Sequence, residues 1–227
     1  MTTAKRASGA STAVEDYVKA IYHVAEDGGG VVTTTALAAR LRVTAPSVSA
    51  MVKRLAAMGL VTHAPYRGVV LTEPGRRLAL SVVRRHRLLE LFLAQSLGLS
   101  WDQVHEQAEV LEHALSPELT AVIAEKLGHP DRDPHGDPIP TVDGRVVEEP
   151  TERLSVLPAG AAGVLVRVSD TDPDMLRHLT TQGVGLGDSV EVGQHEPFGG
   201  SLSVQINGRQ HTLGLELAGA MRVRVTG

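Results

Sequence analysis

Apolar residues recur at three- and four-residue intervals through roughly the first 125 positions, then at every second position from about Leu154 onward. The first period predicts helices and the second strands. In STAVEDYVKAIYHVAEDGG, Val14, Tyr17, Val18, Ile21, Tyr22 and Val24 form one helical face, opened by a Ser/Thr cap and ended by Gly28–Gly30. TTTALAARLRV predicts a short helix with Ala36, Leu37, Ala39 and Leu41 inward. TAPSVSAMVKRLAAMGLV predicts a third, with Thr44 as its cap, Pro46 in its first turn and Gly59 closing it. GLVTHAPYRGVVLT alternates as two short strands about a turn at Pro65–Gly68. Helix, helix-turn-helix and hairpin in that order predict a winged helix-turn-helix DNA-binding domain over residues 1–75.

TEPGRRLALSVVRRHRLLELFLAQSLGL predicts a long helix, apolar over much of its circumference from Leu78 to Leu97. Such a helix must be covered on several sides. SWDQVHEQAEVLEHAL and SPELTAVIAEKLG follow, each opened by a serine cap. Together they predict a helical domain over residues 76–140 whose apolar surface suits a dimer interface. HPDRDPHGDPIPTVDGRVVEEPTER is rich in Pro, Gly and Asp and reads as extended chain, with a linker over 141–153. GVLVRVSD, DSVEVGQH, GSLSVQING, HTLGLEL and MRVRV then predict five short strands of a small antiparallel barrel over 154–227. The fold class is mainly α with a β domain.

Composition narrows this picture. The chain of 227 residues is 42% hydrophobic and 21% charged, as globular proteins are. It has no apolar run of about 18 residues and no signal-peptide core, so neither a membrane span nor a membrane partner is expected. With no cysteine it has no disulfide and no thiolate metal ligand, and a cytoplasmic location fits. The net charge of −4 is unevenly spread, being +8 over residues 1–88 and −12 over the remainder. A basic front half suits a polyanion.

The segment HEQAEVLEHAL places two histidines and three glutamates in eleven residues. At about 100° per residue, with His105 at zero, Glu109 falls near 40°, Glu112 near 340° and His113 near 80°. Trp101, Val104, Ala108, Leu111 and Leu115 fall at about 240–320°, so the ligand-type arc borders the apolar stripe. On the preceding helix His86 and Glu90, four apart, share a face. Two such pairs on consecutive helices point to divalent metal. Spacing alone also fits a solvated glutamate-rich face with incidental histidines. A metal-dependent hydrolase on His86, Glu90 and His105 would need an open coordination position. With no nucleophile motif or glycine-rich phosphate loop, no enzyme activity and no organic cofactor are expected.

The succession of winged helix, RRHRLLE, VHEQAEVLEHALS, HGDPIP and small barrel resembles the diphtheria-toxin-repressor family of metal-dependent transcriptional repressors, across essentially the whole chain. The resemblance implies a homodimer that binds operator double-stranded DNA when loaded with metal, and an SH3-like barrel. It implies two sites per subunit. The primary site would use Asp16, Glu109, Glu112 and His113. The ancillary site would use His86, Glu90 and His105, with Asp172 from the barrel and Asp174 as the alternative. A family glutamine ligand falls on Met175. Asp16 and Glu109 stand where iron-responsive members have methionine and cysteine, as in the manganese branch. Oxygen and imidazole donors suit Mn²⁺, with Fe²⁺ the alternative. Lys19 replaces an acidic ligand of small manganese members, so the two sites are expected to be separate. Because Asp16 lies in the DNA-binding segment, metal occupancy would set the spacing of two recognition helices. A winged-helix regulator triggered by an organic ligand is the competing reading.

On the recognition helix, Thr44, Ser47 and Ser49 can bond phosphates or base edges, and Pro46 offers an apolar contact to a thymine methyl. Lys53, Arg54 and the wing residue Arg67 suit phosphates. No Asn, Gln or Arg opens the helix, so specificity should lean on DNA shape.

Overall fold

The computed structural model describes residues 11–28, 31–64, 68–197 and 200–226. Its contacts divide the chain into two compact units, Met1–Arg85 with Pro140–Arg145, and His86–Ile139 with Val146–Gly227.

The first unit holds α1 (Thr12–Gly28), α2 (Thr34–Leu41), α3 (Ala45–Ala57), β1 (Val61–Ala64), β2 (Gly68–Leu71) and the first half of α4 (Glu73–Leu97). Val14, Tyr17, Val18, Ile21 and Tyr22 are buried along α1, as their spacing predicts. The Thr33 hydroxyl caps α2 by accepting from Ala36 N at 3.1 Å. Within α2 only Leu37 is fully buried; Ala39 is exposed, because its turn of the helix faces solvent. Arg42, at φ 53°, makes the left-handed step into α3. Thr44 occupies the N-cap of α3, but its hydroxyl pairs with the Ser47 hydroxyl at 2.9 Å and not with the helix backbone. Val48, Val52 and Leu55 turn α3 inward. Strands β1 and β2 pair antiparallel, and Val32 bridges to Val69 beside them. The wing tip, with Arg67, lies outside the described residues. Glu15 and Arg85 close an ion pair of 2.9 Å between α1 and α4.

The second unit joins two cores. The second half of α4, α5 (Trp101–Leu111) and α6 (Pro117–Lys126) bury Leu88, Leu89, Leu91, Ala108, Ile123 and Ala124 together with Ile139. Ser100 and Ser116 are the N-caps of α5 and α6, as expected. A 3₁₀ turn, Glu112–Ala114, follows α5. The C-terminal sheet contains β3 (Glu152–Arg153), β4 (Ala162–Val168), β5 (Ser189–His195), β6 (Leu202–Ile206), β7 (Arg209–Leu213) and β8 (Met221–Val225), ordered β3-β8-β4-β5-β6-β7. It encloses a core that includes Leu154, Leu165, Val168, Leu176, Val204 and Met221.

Four expectations change here. The sheet has six strands because Glu152 and Arg153 already pair with β8. HTLGLEL is not one strand: it breaks at Gly214 into α8 (Leu215–Ala220). The period-two region also contains α7 (Pro173–Gln182), capped by Asp172 and ended by Gly183 at φ 70°. Nor is all of HPDRDPHGDPIP extended linker. Asp133 and residues 135–140 are buried, because the loop folds back on itself through Asp133 N to Asp137 O at 3.0 Å and Ile139 N to Asp131 O at 2.8 Å.

Leu37 is fully buried beneath the helix-turn-helix. Leu37→Ala should therefore cost about 2–5 kcal/mol of stability, read as a lowered denaturation midpoint. An unchanged midpoint would contradict this account of the core.

Candidate metal centre and nucleic-acid interface

The centre is built around Glu90, a fully buried carboxylate on α4. Such a charge is stable only if paired. On Oε1 it meets His86 Nε2 at 2.9 Å and His105 Nδ1 at 3.2 Å. His86, one turn earlier on α4, turns its other nitrogen to Glu112 Oε2 at 2.6 Å. The two imidazoles meet edge to face, with ring centroids 4.9 Å apart. His105 Nδ1 also reaches Asp170 Oδ2 at 2.8 Å, just beyond the end of β4. His86, Glu90, His105 and Asp170 thus converge so that one ligand atom from each lies within 4.8 Å of the others.

The charges in this group are mutually sustaining. Burial would raise the Glu90 carboxyl, but the charge of His86 and bonds from His105 and His86 bring it down to about 2. Burial would lower His105, but bonds and charge from Asp170 and Glu90 lift it to about 10. Burial would raise Asp170, but the bond and charge of His105, with the charge of His86, hold it well below the carboxylate range.

On the other side of Glu90 stands His135, fully buried in the HGDPIP loop. Its Nε2–H donates to the Trp101 carbonyl at 2.7 Å, and its ring stacks on Trp101 at 14°. In neutral imidazole Nδ1 then carries a lone pair. That atom and Glu90 Oε2 are both buried, lie 3.9 Å apart and have no hydrogen-bond partner. Two buried acceptors facing each other fit a cation between them. Asp133 belongs to the same group, its carboxyl raised by burial and by the charges of Asp137 and Glu90, against Arg87. The donors are carboxylate and imidazole throughout, a set that fits a hard divalent ion.

Of the other proposed ligands, Glu112 is buried on the 3₁₀ turn, and His113 Nε2 lies 3.5 Å from its Oε1. Glu109 Oε1 stands 3.9 Å from His86 Nδ1 and 3.7 Å from His105 Nε2. Leu111, which the helical wheel places on the apolar stripe, is 40% exposed, whereas Glu112, at the border of that stripe, is buried. Asp16 is half-buried on α1, in the first unit, where Lys19 is buried one turn on. Asp172 is a correction. Its Oδ1 accepts from Asp174 N at 2.9 Å and Met175 N at 3.4 Å as the cap of α7, and Asp170 takes the place beside His105. Asp174 pairs instead with Arg177. His135 and Asp133, which helical spacing does not pick out, also belong here; their signal in the sequence was the Asp-Pro-His run before Gly136.

Thr44, Pro46, Ser47, Ser49, Lys53 and Arg54 are all exposed on α3, with Ser49 Oγ bonding back to the Ala45 carbonyl at 3.0 Å. Arg67 lies outside the described residues.

The first unit has the architecture of a winged-helix DNA-binding domain, and the second carries a candidate carboxylate–imidazole metal centre. Family models described as the iron dependent repressor N-terminal DNA binding domain, its metal binding and dimerisation domain, and the FeoA domain match residues 10–69, 72–141 and 152–225. The iron-dependent repressor IdeR of Mycobacterium tuberculosis is 36% identical over 92% of this chain and 95% of its own length. The diphtheria toxin repressor of Corynebacterium diphtheriae is 29% identical over 92% and 95%. A solved manganese-dependent transcriptional repressor in complex with manganese superposes with a TM-score of 0.90 at 44% identity, covering 94% of this chain and 100% of that one. The structure of the manganese regulator SloR gives 0.79 at 31%, covering 94% and 98%. The chain belongs to the iron-dependent (diphtheria-toxin) repressor family, whose members are metal-dependent transcriptional repressors and not enzymes. Among the described residues no helix is long and apolar enough to cross a membrane.

In the metal-free chain, the Glu90–His105–Asp170 group contributes its full stability from about pH 4.5 to about pH 6.5, the ordinary Glu and His values. As pH rises the contribution declines and is lost through about 10, where folded His105 gives up its proton. As pH falls it is lost toward about 2, where folded Glu90 protonates. Urea unfolding in EDTA should show the alkaline decline, and His105→Gln should flatten it. The same slope in both proteins would refute the assignment.

Proposed function

We propose that the chain is a manganese-responsive repressor, with Fe²⁺ as the alternative activator, acting as a homodimer on operator DNA of metal-homeostasis genes. The observation that carries this reading is the buried donor set around Glu90, all oxygen and imidazole, in a chain with no cysteine. Mn²⁺ and Fe²⁺ accept such donors, whereas softer ions favour thiolates. The likeness to solved manganese-dependent repressors supports the same choice.

Two cations per subunit are proposed. The first would be held by Asp16, Glu109, Glu112 and His113, the set that the family correspondence assigns. The second would be held at Glu90, with His86, His105 and Asp170 toward one oxygen and His135 toward the other. A bound divalent ion supplies positive charge where Glu90, Asp170 and His135 present lone pairs. His105 must release its proton for its lone pair to join them, so affinity should rise with pH.

Exposed apolar Val110 and Leu111 on α5, with Leu119 and Val122 on α6, support a dimer through these helices. The exposed hydroxyls and cations of α3 support its reading as the recognition helix, with Lys53 and Arg54 on phosphates.

A mobility-shift titration across a metal series tests this reading. Mn²⁺ should activate operator binding, and EDTA should abolish it. Asp16→Ala should lose metal activation while keeping the wild-type circular dichroism. Equal operator affinity with and without chelator would refute the metal switch. Binding should also weaken steeply with salt, and Lys53→Ala should lower the log–log salt slope by about 1. A slope unchanged in that variant would remove Lys53 from the phosphate contacts.

A further inference from the structure

Next to the metal centre lies a second buried ionic group that ligates nothing in the reading above. Asp137, in the HGDPIP loop, holds two guanidinium groups on one oxygen. Its Oδ1 is 3.0 Å from Arg87 Nη2 and 2.5 Å from Arg167 Nη2. Arg87 comes from α4, between His86 and the Glu90 turn, and is buried. It also donates to the Pro138 carbonyl at 2.5 Å and lies 3.6 Å from Asp133 Oδ2. Arg167 comes from β4, three residues before Asp170.

The backbone of β4 is shaped for this contact. Leu165 and Val168, three apart, both enter the barrel core, which strict alternation forbids. A bulge between Leu165 and Arg167 resets the phase, so Arg167 leaves the barrel and meets the loop. The loop approaches so closely that a Cβ at Gly136 would stand 2.0 Å from the Val166 carbonyl oxygen. Val168 N then donates to the His135 carbonyl at 3.0 Å. One carboxylate therefore ties the helix carrying His86 and Glu90, the loop carrying His135 and the strand leading to Asp170.

We propose that Asp137 is a positioning residue for the second cation site: bridging Arg87 and Arg167, it docks the end of β4 so that Asp170 stands at His105 before any cation binds. The proposal rests on the assignment of Asp170 as a ligand of that site. It makes the barrel a standing part of the sensor, with the ordering of Asp170 already done in the metal-free chain. Buried ion pairs often add little net stability, and their better-attested use is to fix one arrangement among several. Residues that orient ligands alter metal affinity by about 10- to 100-fold when removed.

The test uses the full chain. In EDTA, amide hydrogen exchange is followed on peptides covering residues 131–139 and 166–170; Mn²⁺ binding is then measured by calorimetry. Asp137→Asn should speed exchange in both peptides and weaken the second Mn²⁺ step about ten-fold, leaving the first step unchanged. Arg167→Met, a change at a partly exposed side chain, should act in the same direction and serves if Asp137→Asn does not fold. Asp170→Asn should lose the second step without faster exchange in the loop. Wild-type exchange in the Asp137 and Arg167 variants, or faster exchange with an unweakened second step, would overturn the positioning role. Retention of the second step by Asp170→Asn would instead overturn the ligand assignment, and the proposal with it.

Discussion

A single carboxylate removed from water governs the second unit. Glu90 is fully buried, and an ionised carboxylate in that setting is tolerable only with cationic or hydrogen-bonding partners. Those partners come from separate stretches of chain. His86 lies on its own helix and His105 on the next. Asp170, which completes the charge balance through His105, follows a strand of the C-terminal sheet, while His135, in a proline-rich loop, faces the second oxygen as another acceptor. Satisfying one charge thus recruits three segments. A barrel and a helical segment with separate hydrophobic cores fall into one compact unit.

The side chains around Glu90 form an ion cluster organised by the proton of His105. His105 holds its proton tightly because Asp170 and Glu90 both bond to it, and they stay charged because it is there. Opposite, Glu90 Oε2 and His135 Nδ1 face each other unsatisfied. One oxygen of Glu90 therefore meets two imidazoles and the other only a second acceptor.

What could be read from the residues follows the reach of the physics involved. Helical periodicity found α1, α3 and α4 because burial along a 3.6-residue repeat is a local rule. His86, Glu90 and His105 were legible for the same reason, as i,i+4 geometry is set within one helix and its neighbour. Leu111 escaped because a helical wheel carries one angle per residue past the point where α5 gives way to a 3₁₀ turn at Glu112. Asp172 and Asp170 were exchanged because a carboxylate before Pro173 suits a cap as well as a ligand. The choice between those uses depends on a bulge in β4, and that bulge exists only in the paired sheet. His135 was hidden by composition. Proline and glycine mark a loop but do not say whether it is solvated or folded back around a buried imidazole.

The absence of sulfur from the donor set has a chemical corollary. Thiolate ligands climb from sulfenate to sulfonate under peroxide, and each rung destroys a coordination position. Glu90, His86, His105, His135 and Asp170 offer such oxidants no thiolate or thioether to modify. A regulator assembled from these side chains can keep reporting cation abundance through oxidative stress, when thiol-based switches around it are being rewritten.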